Sequence, residues 1–369
     1  MTKRIVIAAG GTGGHFYPGL VLAKTLRERG WQPLMLVRRQ DPAVAALERE
    51  GLASCEIDLS GLPRSPTPRV ALFAWKLLKS LASLRRILSD FQPQAVVGMG
   101  GYLSFPTVAS AAGLRIPRAV HESNTVLGLA NRLCLPLGAR LFWGLPSAPG
   151  QPSGVLTGTP IRPALWRLAE AGAARQRLRL DAALRTILVF GGSQGARGLN
   201  TLAPRALAEA AKAAPGGLQV LHLAGSKEVE EVRLAYSGAG LKAEVLPYLE
   251  EMDQAYAAAD LVVCRAGAST LAELGAQRKP AILVPYPSAA AGHQEVNARL
   301  FERIGAARVV LEKDSEEFLV PTLADLLSSE WGARRRLEMV QAYSSLGLPA
   351  PEHSAALLAD AVEGLAQTR

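Results

Sequence analysis

Arg4-Ile5-Val6-Ile7-Ala8-Ala9-Gly10-Gly11-Thr12-Gly13-Gly14-His15 reads as a buried strand that breaks into a glycine turn where a helix begins. Helical spacing then runs through Leu20, Leu22, Ala23 and Leu26 to Gly30. The device recurs 181 residues later as Thr186-Ile187-Leu188-Val189-Phe190-Gly191-Gly192-Ser193-Gln194-Gly195, followed by Leu199, Leu202, Leu207 and Ala211. Apolar runs at Leu34–Val37, Ala95–Val97, Val220–Leu223, Leu261–Val263 and Ala281–Val284 alternate with further helical patterns. Uninterrupted apolar strands between helices imply parallel sheets covered on both faces. The expected fold class is α/β, with two doubly wound domains facing a cleft and ligands outside the carboxyl ends of the strands. The expected domains are residues 1–160 and 161–342, joined by the Pro/Gly-rich stretch Pro146–Pro163. A C-terminal helix, about 343–369, is expected to pack back on the first.

At 49% hydrophobic over 369 residues, the chain has enough apolar material for two cores, and disorder is excluded. Cys55, Cys134 and Cys264 are odd in number and widely spaced, which argues against a disulfide framework or a thiolate metal cluster and fits a reducing compartment. Only five apolar residues, Ile5–Ala9, follow the N-terminal charges, too few for a secretory signal. The uncharged stretches 95–114 and 141–161 are broken by glycine and proline, so neither is expected to span a membrane.

The formal net charge of +9 is unevenly placed. Residues 1–160 hold 18 basic and 8 acidic side chains, and no Asp or Glu lies between Asp58 and Asp90. Such asymmetry points to an anionic partner, either a nucleic acid or an anionic membrane surface. From Val70 to Leu88, apolar residues recur at helical spacing among Arg69, Lys76, Lys79, Arg85 and Arg86. That helix is either a core helix with a solvated basic face or an interfacial one that turns Phe73, Trp75, Lys76, Lys79 and Arg85 to anionic lipid. No basic-aromatic pattern of a nucleic-acid module accompanies the charge, so no nucleic-acid partner is expected.

Glycine turns at strand ends expose backbone N–H groups where a helix begins, an arrangement that binds anions. Gly98-Met99-Gly100-Gly101-Tyr102 is a third such loop, and Ser193 adds a hydroxyl to the second. Three loops suggest several phosphates, as in a sugar nucleotide, a lipid diphosphate or a dinucleotide. An NADP-dependent oxidoreductase is the alternative enzyme, with Arg38 and Arg39 after the second strand suited to a 2′-phosphate. Against it, Phe16 occupies the third glycine position of the dinucleotide fingerprint. In Cys264-Arg265-Ala266-Gly267-Ala268-Ser269-Thr270-Leu271-Ala272-Glu273, Gly267 makes a turn and Ser269 or Thr270 caps a helix with Glu273 in its first turn. Glu273 is thus either a dipole-matched acid or a ligand for hydroxyls. His293 and Gln294 open another helix after a strand.

Gly10–His15, Gly98–Tyr102, His121-Glu122-Ser123-Asn124, Gly158-Thr159-Pro160-Ile161-Arg162, Gly191–Gly195 and Cys264–Ala268 occur in one order across nearly the whole chain. Together they resemble the MurG family of bacterial glycosyltransferases. The resemblance implies the GT-B architecture of two Rossmann-like domains. It also implies inverting transfer of N-acetylglucosamine from UDP-N-acetylglucosamine to the 4-hydroxyl of the muramyl sugar of an undecaprenyl-diphosphate-linked muramoyl peptide, in peptidoglycan synthesis. Carried over by motif, Thr12, Gly13 and Gly14 approach the donor sugar and the acceptor diphosphate, and Asn124 and Gln294 hold N-acetylglucosamine hydroxyls. Arg162, Ser193 and the helix start Ala268-Ser269-Thr270 meet the UDP phosphates, Glu273 takes both ribose hydroxyls, and the Leu249 backbone reads uracil. Gly100, Gly101, Tyr102, Gln194, Arg265, Leu271, Ala272 and His293 complete the expected substrate-binding set. His15 is the leading general base, and His121 and Glu122 serve either that role or the orientation of their loop. No Asp-x-Asp pair is present, so no metal and no cofactor are expected, the nucleotide sugar being a co-substrate. The implied location is peripheral, on the cytoplasmic face of the inner membrane. The chain departs from the family at Ser123 and His293, where Gln is usual, and in the alanine-rich loop Pro287–Gly292.

Overall fold

The computed structural model describes every residue except 1, 2, 11, 12, 42, 60–68, 168, 193, 194, 290, 291, 329, 368 and 369. At 69–72 and 74 it describes the backbone alone. The chain divides into two units, residues 1–162 with 348–369, and residues 163–347.

In the first unit, strands β1 (Lys3–Ala8), β2 (Trp31–Arg38), β3 (Ala53–Ile57), β4 (Ala95–Gly98), β5 (Arg118–Glu122), β6 (Arg140–Trp143) and β7 (Val155–Leu156) form one sheet in the order β3-β2-β1-β4-β5-β6-β7. All its pairings are parallel; Ile7 stands between Met35 and Val97. Helices α1 (Gly13–Glu28), α2 (Ala43–Arg49), α3 (Arg69–Phe91), α4 (Ser104–Gly113) and α5 (Leu129–Cys134) make the crossovers. The period of two decides which helices each strand meets. Ile5, Ile7, Met35 and Val37 pack with Leu22 and Leu26 of α1, whereas Val6, Leu36 and Val96 pack with Leu84, Leu88 and Leu103 on the opposite face.

The second unit has helices α6 (Ala171–Arg177), α7 (Arg197–Ala211), α8 (Val229–Gly238), α9 (Met252–Ala258), α10 (Ala268–Gln277), α11 (His293–Arg303), α12 (Ser315–Leu327) and α13 (Glu330–Ala342). Its strands β8 (Arg185–Phe190), β9 (Leu218–Leu223), β10 (Ala243–Leu246), β11 (Leu261–Cys264), β12 (Ala281–Leu283) and β13 (Ala307–Val309) form a parallel sheet in the order β10-β9-β8-β11-β12-β13. In both sheets the order reverses direction beside the strand that precedes the first glycine loop of its unit, and ligands of such sheets gather at that switch point.

Two expectations are corrected. The stretch 146–163 is more than a linker, because Val155–Leu156 pairs with β6 and extends the first sheet by one short edge strand. The returning helix α14 spans Pro351–Gln367, not 343–369; residues Tyr343–Leu346 form a 3-10 turn in the second unit. Leu358, Val362 and Leu365 of α14 join the α1 face of the first core. Arg29 pairs with Asp360 at 2.6 Å and Glu363 at 3.0 Å, and the Trp31 indole donates to Glu363 at 2.7 Å.

Candidate active site

In the first unit β1, β4 and β5 lie side by side, so the loops at their carboxyl ends meet. The His15 imidazole lies across the backbone of Gly100 and Gly101. A β-carbon on Gly100 would stand 2.7 Å from its Cδ2 and 2.9 Å from its Nε2, and one on Gly101 would stand 3.2 Å from its Nδ1. Both glycines have positive φ, +98° and +72°, a region that disfavours side chains. Ser104 clamps this loop from α4: its Oγ accepts from the Gly100 N–H and donates to the Gly100 carbonyl, each at 2.9 Å. Sequence reading missed Ser104, since a serine at a helix start reads as a cap and not as a clamp on the preceding glycine loop. Tyr17, one turn from Gly13 on α1, takes the Arg162 guanidinium over its ring at 5.0 Å. Gly13 and Gly14 open α1. Thr12 lies outside the described residues.

His121 and Glu122 are committed to their own loop. His121 is fully buried; its Nε2–H donates to the Gly158 carbonyl at 3.0 Å, and its Nδ1 faces the Ser123 hydroxyl at 3.5 Å. Burial pushes its pKa down against the opposing pulls of the Gly158 carbonyl and Glu122, and His15 adds a smaller downward push. The Glu122 carboxylate accepts from the backbone N–H and side-chain amide of Asn124, from Gly128 N–H and from Asn131 Nδ2, at 2.8–3.1 Å. With its lone pairs so occupied, it fixes the position of Asn124.

In the second unit Glu273 is the sixth residue of α10, one turn deeper than expected, and Gly267 rather than Ser269 or Thr270 is the N-cap residue. The dipole-matched reading of Glu273 therefore fails, because the macrodipole acts within the first turn. Its Oε2 instead accepts from the Tyr256 hydroxyl at 2.9 Å. Tyr256, fully buried on α9, was missed because its spacing reads as core. Ala268, Ser269, Thr270, Leu271 and Ala272 open α10, with Ala268, Leu271 and Ala272 buried and Ser269 and Thr270 half-buried. Leu249 is half-buried in the loop after β10.

Arg265 is buried and structural in its contacts. It donates to the carbonyls of Val284 at 3.1 Å and Pro285 at 3.3 Å, pairs with Glu312 at 2.5 Å and stacks near Tyr286. Gln294 Oε1 accepts from Tyr286 N–H at 2.9 Å and Ala266 N–H at 3.3 Å, and so ties the loops after β11 and β12 together. His293, half-buried, is the first residue of α11. These loops border a cavity of about 910 Å³ between Gly191, Arg197, Arg265, Gln294 and Glu312. Ser193 and Gln194 lie outside the described residues. At Gly195 (φ +77°), a β-carbon would stand 2.2 Å from the Ala224 carbonyl oxygen. Asn200 Nδ2 donates to that carbonyl and to Glu228, both at 2.7 Å. Asn200 Oδ1 must then accept from His222 Nε2–H at 3.1 Å, leaving His222 Nδ1 to accept from Tyr236 at 2.9 Å. Burial holds His222 at a pKa of about 3, neutral in this network.

The basic helix divides its residues between two surfaces. Ser80, Leu84 and Leu88 are buried, and Phe73 and Leu77 pack against the same core. Phe73 is thus corrected from the outer face: it lies four residues from Leu77 and eleven from Leu84, on the inward stripe. Trp75 (57% exposed) and the unforeseen Leu78 (67%) stand outside, with Lys79 Nζ 5.3 Å from the Trp75 ring and Arg85 exposed. Lys76 pairs with Asp58 at 3.0 Å and holds its carboxyl below the usual range. Among the described residues no helix is long and apolar enough to cross a membrane, and no group of three or more His, Cys, Asp or Glu could hold a metal ion.

Residues 5–140 match the glycosyltransferase family 28 N-terminal domain, and residues 186–342 match the glycosyltransferase family 28 C-terminal domain. The UDP-N-acetylglucosamine--N-acetylmuramyl-(pentapeptide) pyrophosphoryl-undecaprenol N-acetylglucosamine transferase of Elusimicrobium minutum is 38% identical over 98% of this chain and 100% of its own length. The protein of that name from Halorhodospira halophila is 41% identical over 94% of this chain and 95% of its own length. Among solved structures, MurG of Acinetobacter baumannii superposes with a TM-score of 0.78 at 28% identity, covering 98% of this chain and 99% of its own.

Proposed function

The chain belongs to glycosyltransferase family 28, and from that premise we propose that it transfers N-acetylglucosamine, with inversion, from UDP-N-acetylglucosamine to the 4-hydroxyl of the muramyl sugar of undecaprenyl-diphosphate-linked muramoyl pentapeptide. Lipid I is thereby converted to lipid II in peptidoglycan synthesis. The observation that carries this reading is the near-full-length match at 38% identity to a protein named for that transfer. Family membership replaces the NADP-dependent oxidoreductase alternative.

Each unit has its own task. The second unit takes UDP, with Glu273 on the ribose diol and the first turn of α10 and the loop 191–195 on the phosphates. The first unit takes the acceptor at Gly13–His15 and Gly100–Tyr102. The muramyl hydroxyl attacks the anomeric carbon, the bond to UDP breaks with its electron pair leaving on the phosphate oxygen, and His15 takes the hydroxyl proton. His15 suits this role by its place, its ring resting against Gly100 and Gly101 at the carboxyl ends of β1 and β4, whereas His121 is fully buried and Glu122 holds its own loop together. Backbone N–H dipoles and Arg162 are proposed to stabilise the leaving diphosphate without a metal. The protein works peripherally on the cytoplasmic face of the membrane, docked through Trp75, Leu78, Lys79 and Arg85 of α3, with no nucleic-acid partner.

Labelled N-acetylglucosamine moved from the UDP sugar to a short-chain diphosphate-linked acceptor is the direct test. Thermal stabilisation by UDP-N-acetylglucosamine and none by NADPH is the expected companion result. Stabilisation by NADPH without transfer would return the oxidoreductase reading.

A further inference from the structure

Arg38 ends β2, and its backbone N lies 3.0 Å from where a β-carbon on Gly10 would stand, so it borders the first glycine loop. Leu36, two residues earlier, packs with Leu84, Leu88 and Leu103. The period of two puts the Arg38 side chain on that same face of the sheet, the face covered by α3 and α4. There its charge acts on the Tyr102 hydroxyl, from the loop that carries the His15 contact, against the opposing charge of Asp41. Arg38 enters no ion pair among the described residues, and its Nε is buried without a hydrogen-bond partner. Its neighbour differs: Arg39, with Lys76 and Lys79, faces Asp58. A half-buried guanidinium without a carboxylate is costly to keep unless an anion arrives to meet it.

The place of this charge defines the anion. On one side lies α3, whose outer surface is the docking face of the proposed function; on the other lies the loop against which His15 rests. In a lipid-linked sugar acceptor, the group between the lipid and the reacting sugar is the diphosphate. We propose that Arg38 binds the acceptor's diphosphate, with the Tyr102 hydroxyl accepting from the guanidinium and donating its own proton to a phosphate oxygen. Arg38 is then a substrate-binding residue that selects diphosphate-linked acceptors. This inference rests on the transfer reaction proposed above.

The test compares two short, water-soluble acceptors with the same muramoyl pentapeptide. One is linked to its alkyl chain through a diphosphate, the other through an uncharged glycoside of equal length. The parent enzyme is expected to favour the diphosphate acceptor in kcat/KM. Arg38→Gln should reduce that preference about tenfold, as a charge-assisted contact is lost. It should leave kcat/KM for the uncharged acceptor and KM for the nucleotide sugar within twofold. Arg38→Lys should recover part of the preference. Equal losses on both acceptors would assign Arg38 a merely structural role and overturn the inference, as would an unchanged preference in Arg38→Gln. A parent enzyme that transfers to neither acceptor sinks the underlying reaction instead.

Discussion

Gly100 presents its bare α-carbon to the His15 imidazole so closely that a methyl group there would stand 2.7 Å from the ring. The glycine at this point is a requirement of the histidine's position. At φ +98° an alanine is strained on its own account as well. Gly100→Ala should therefore lower kcat by about a hundredfold or more, and His15→Ala by roughly 10²–10⁴ if it is the base. UDP affinity should change little in either. Because Gly100→Ala acts largely through His15, the double variant should lose clearly less than the product of the two single losses, which steady-state kinetics can read. Strictly additive losses would mean that the two residues act separately.

Glu273→Gln should raise KM for the nucleotide sugar about tenfold, since a charge-assisted bond to the ribose becomes a neutral one. Tyr256→Phe should raise it by a smaller factor, because the carboxylate keeps its charge and loses only the bond that orients it. An unchanged KM in Glu273→Gln would remove the ribose from this residue.

Turnover is expected to continue in excess EDTA. Complete loss restored by Mg²⁺ or Mn²⁺ would place a metal in the reaction and reassign the stabilisation of the leaving diphosphate.

Sedimentation with anionic vesicles should be lost in the double variant Lys79→Glu, Arg85→Glu and weakened in Trp75→Ala, with turnover on a short soluble acceptor retained. Each well-placed charge contributes about 1 kcal/mol near such a surface. Lys76→Glu should matter less for docking, because Lys76 is already paired with Asp58. Undiminished binding by the charge-reversed protein would show that α3 is only a core helix with a solvated face.

Folding stability should fall on mild acidification. Unfolded, His222 takes a proton near pH 6.5; folded, it stays neutral to about 3. Between those values only the unfolded chain binds the proton, so stability decreases as pH is lowered through the window, by about 1.4 kcal/mol per unit. The buried His121 shifts in the same direction. Melting temperatures at pH 7, 6 and 5 should show this slope, and His222→Phe should be less stable at pH 7 but flatten it. An equally steep slope in that variant would locate the titration elsewhere.

The alternating sheets and their glycine loops were legible because Ile5–Ala9 and Ile187–Phe190 are apolar without a break, a pattern that buried parallel strands require and exposed ones cannot carry. The edge strand Val155–Leu156 was hidden by its surroundings of Pro and Gly, since two residues pairing through their backbone need no pattern of their own. Glu273, His15 and the loops around them were legible as types in a motif. Their neighbours were not: Tyr256, Ser104 and Asn200 act by reaching another segment, and no local spacing encodes that reach. Phe73 was misplaced for the related reason that a helix with apolar residues on two sides does not say which side meets the sheet.

The first unit is interrupted by the second and closed by α14, whose Leu358, Val362 and Leu365 finish a core begun by Ile5 and Ile7. On the ribosome this sets an order of events. The second unit is complete once residue 347 has emerged, while the first still shows an open apolar face along α1 and must keep it from other chains until the last helix arrives. The unit begun by β1 is thus finished after the one inserted into it, and it is the basic half, whose excess charge keeps unfinished chains apart while they wait.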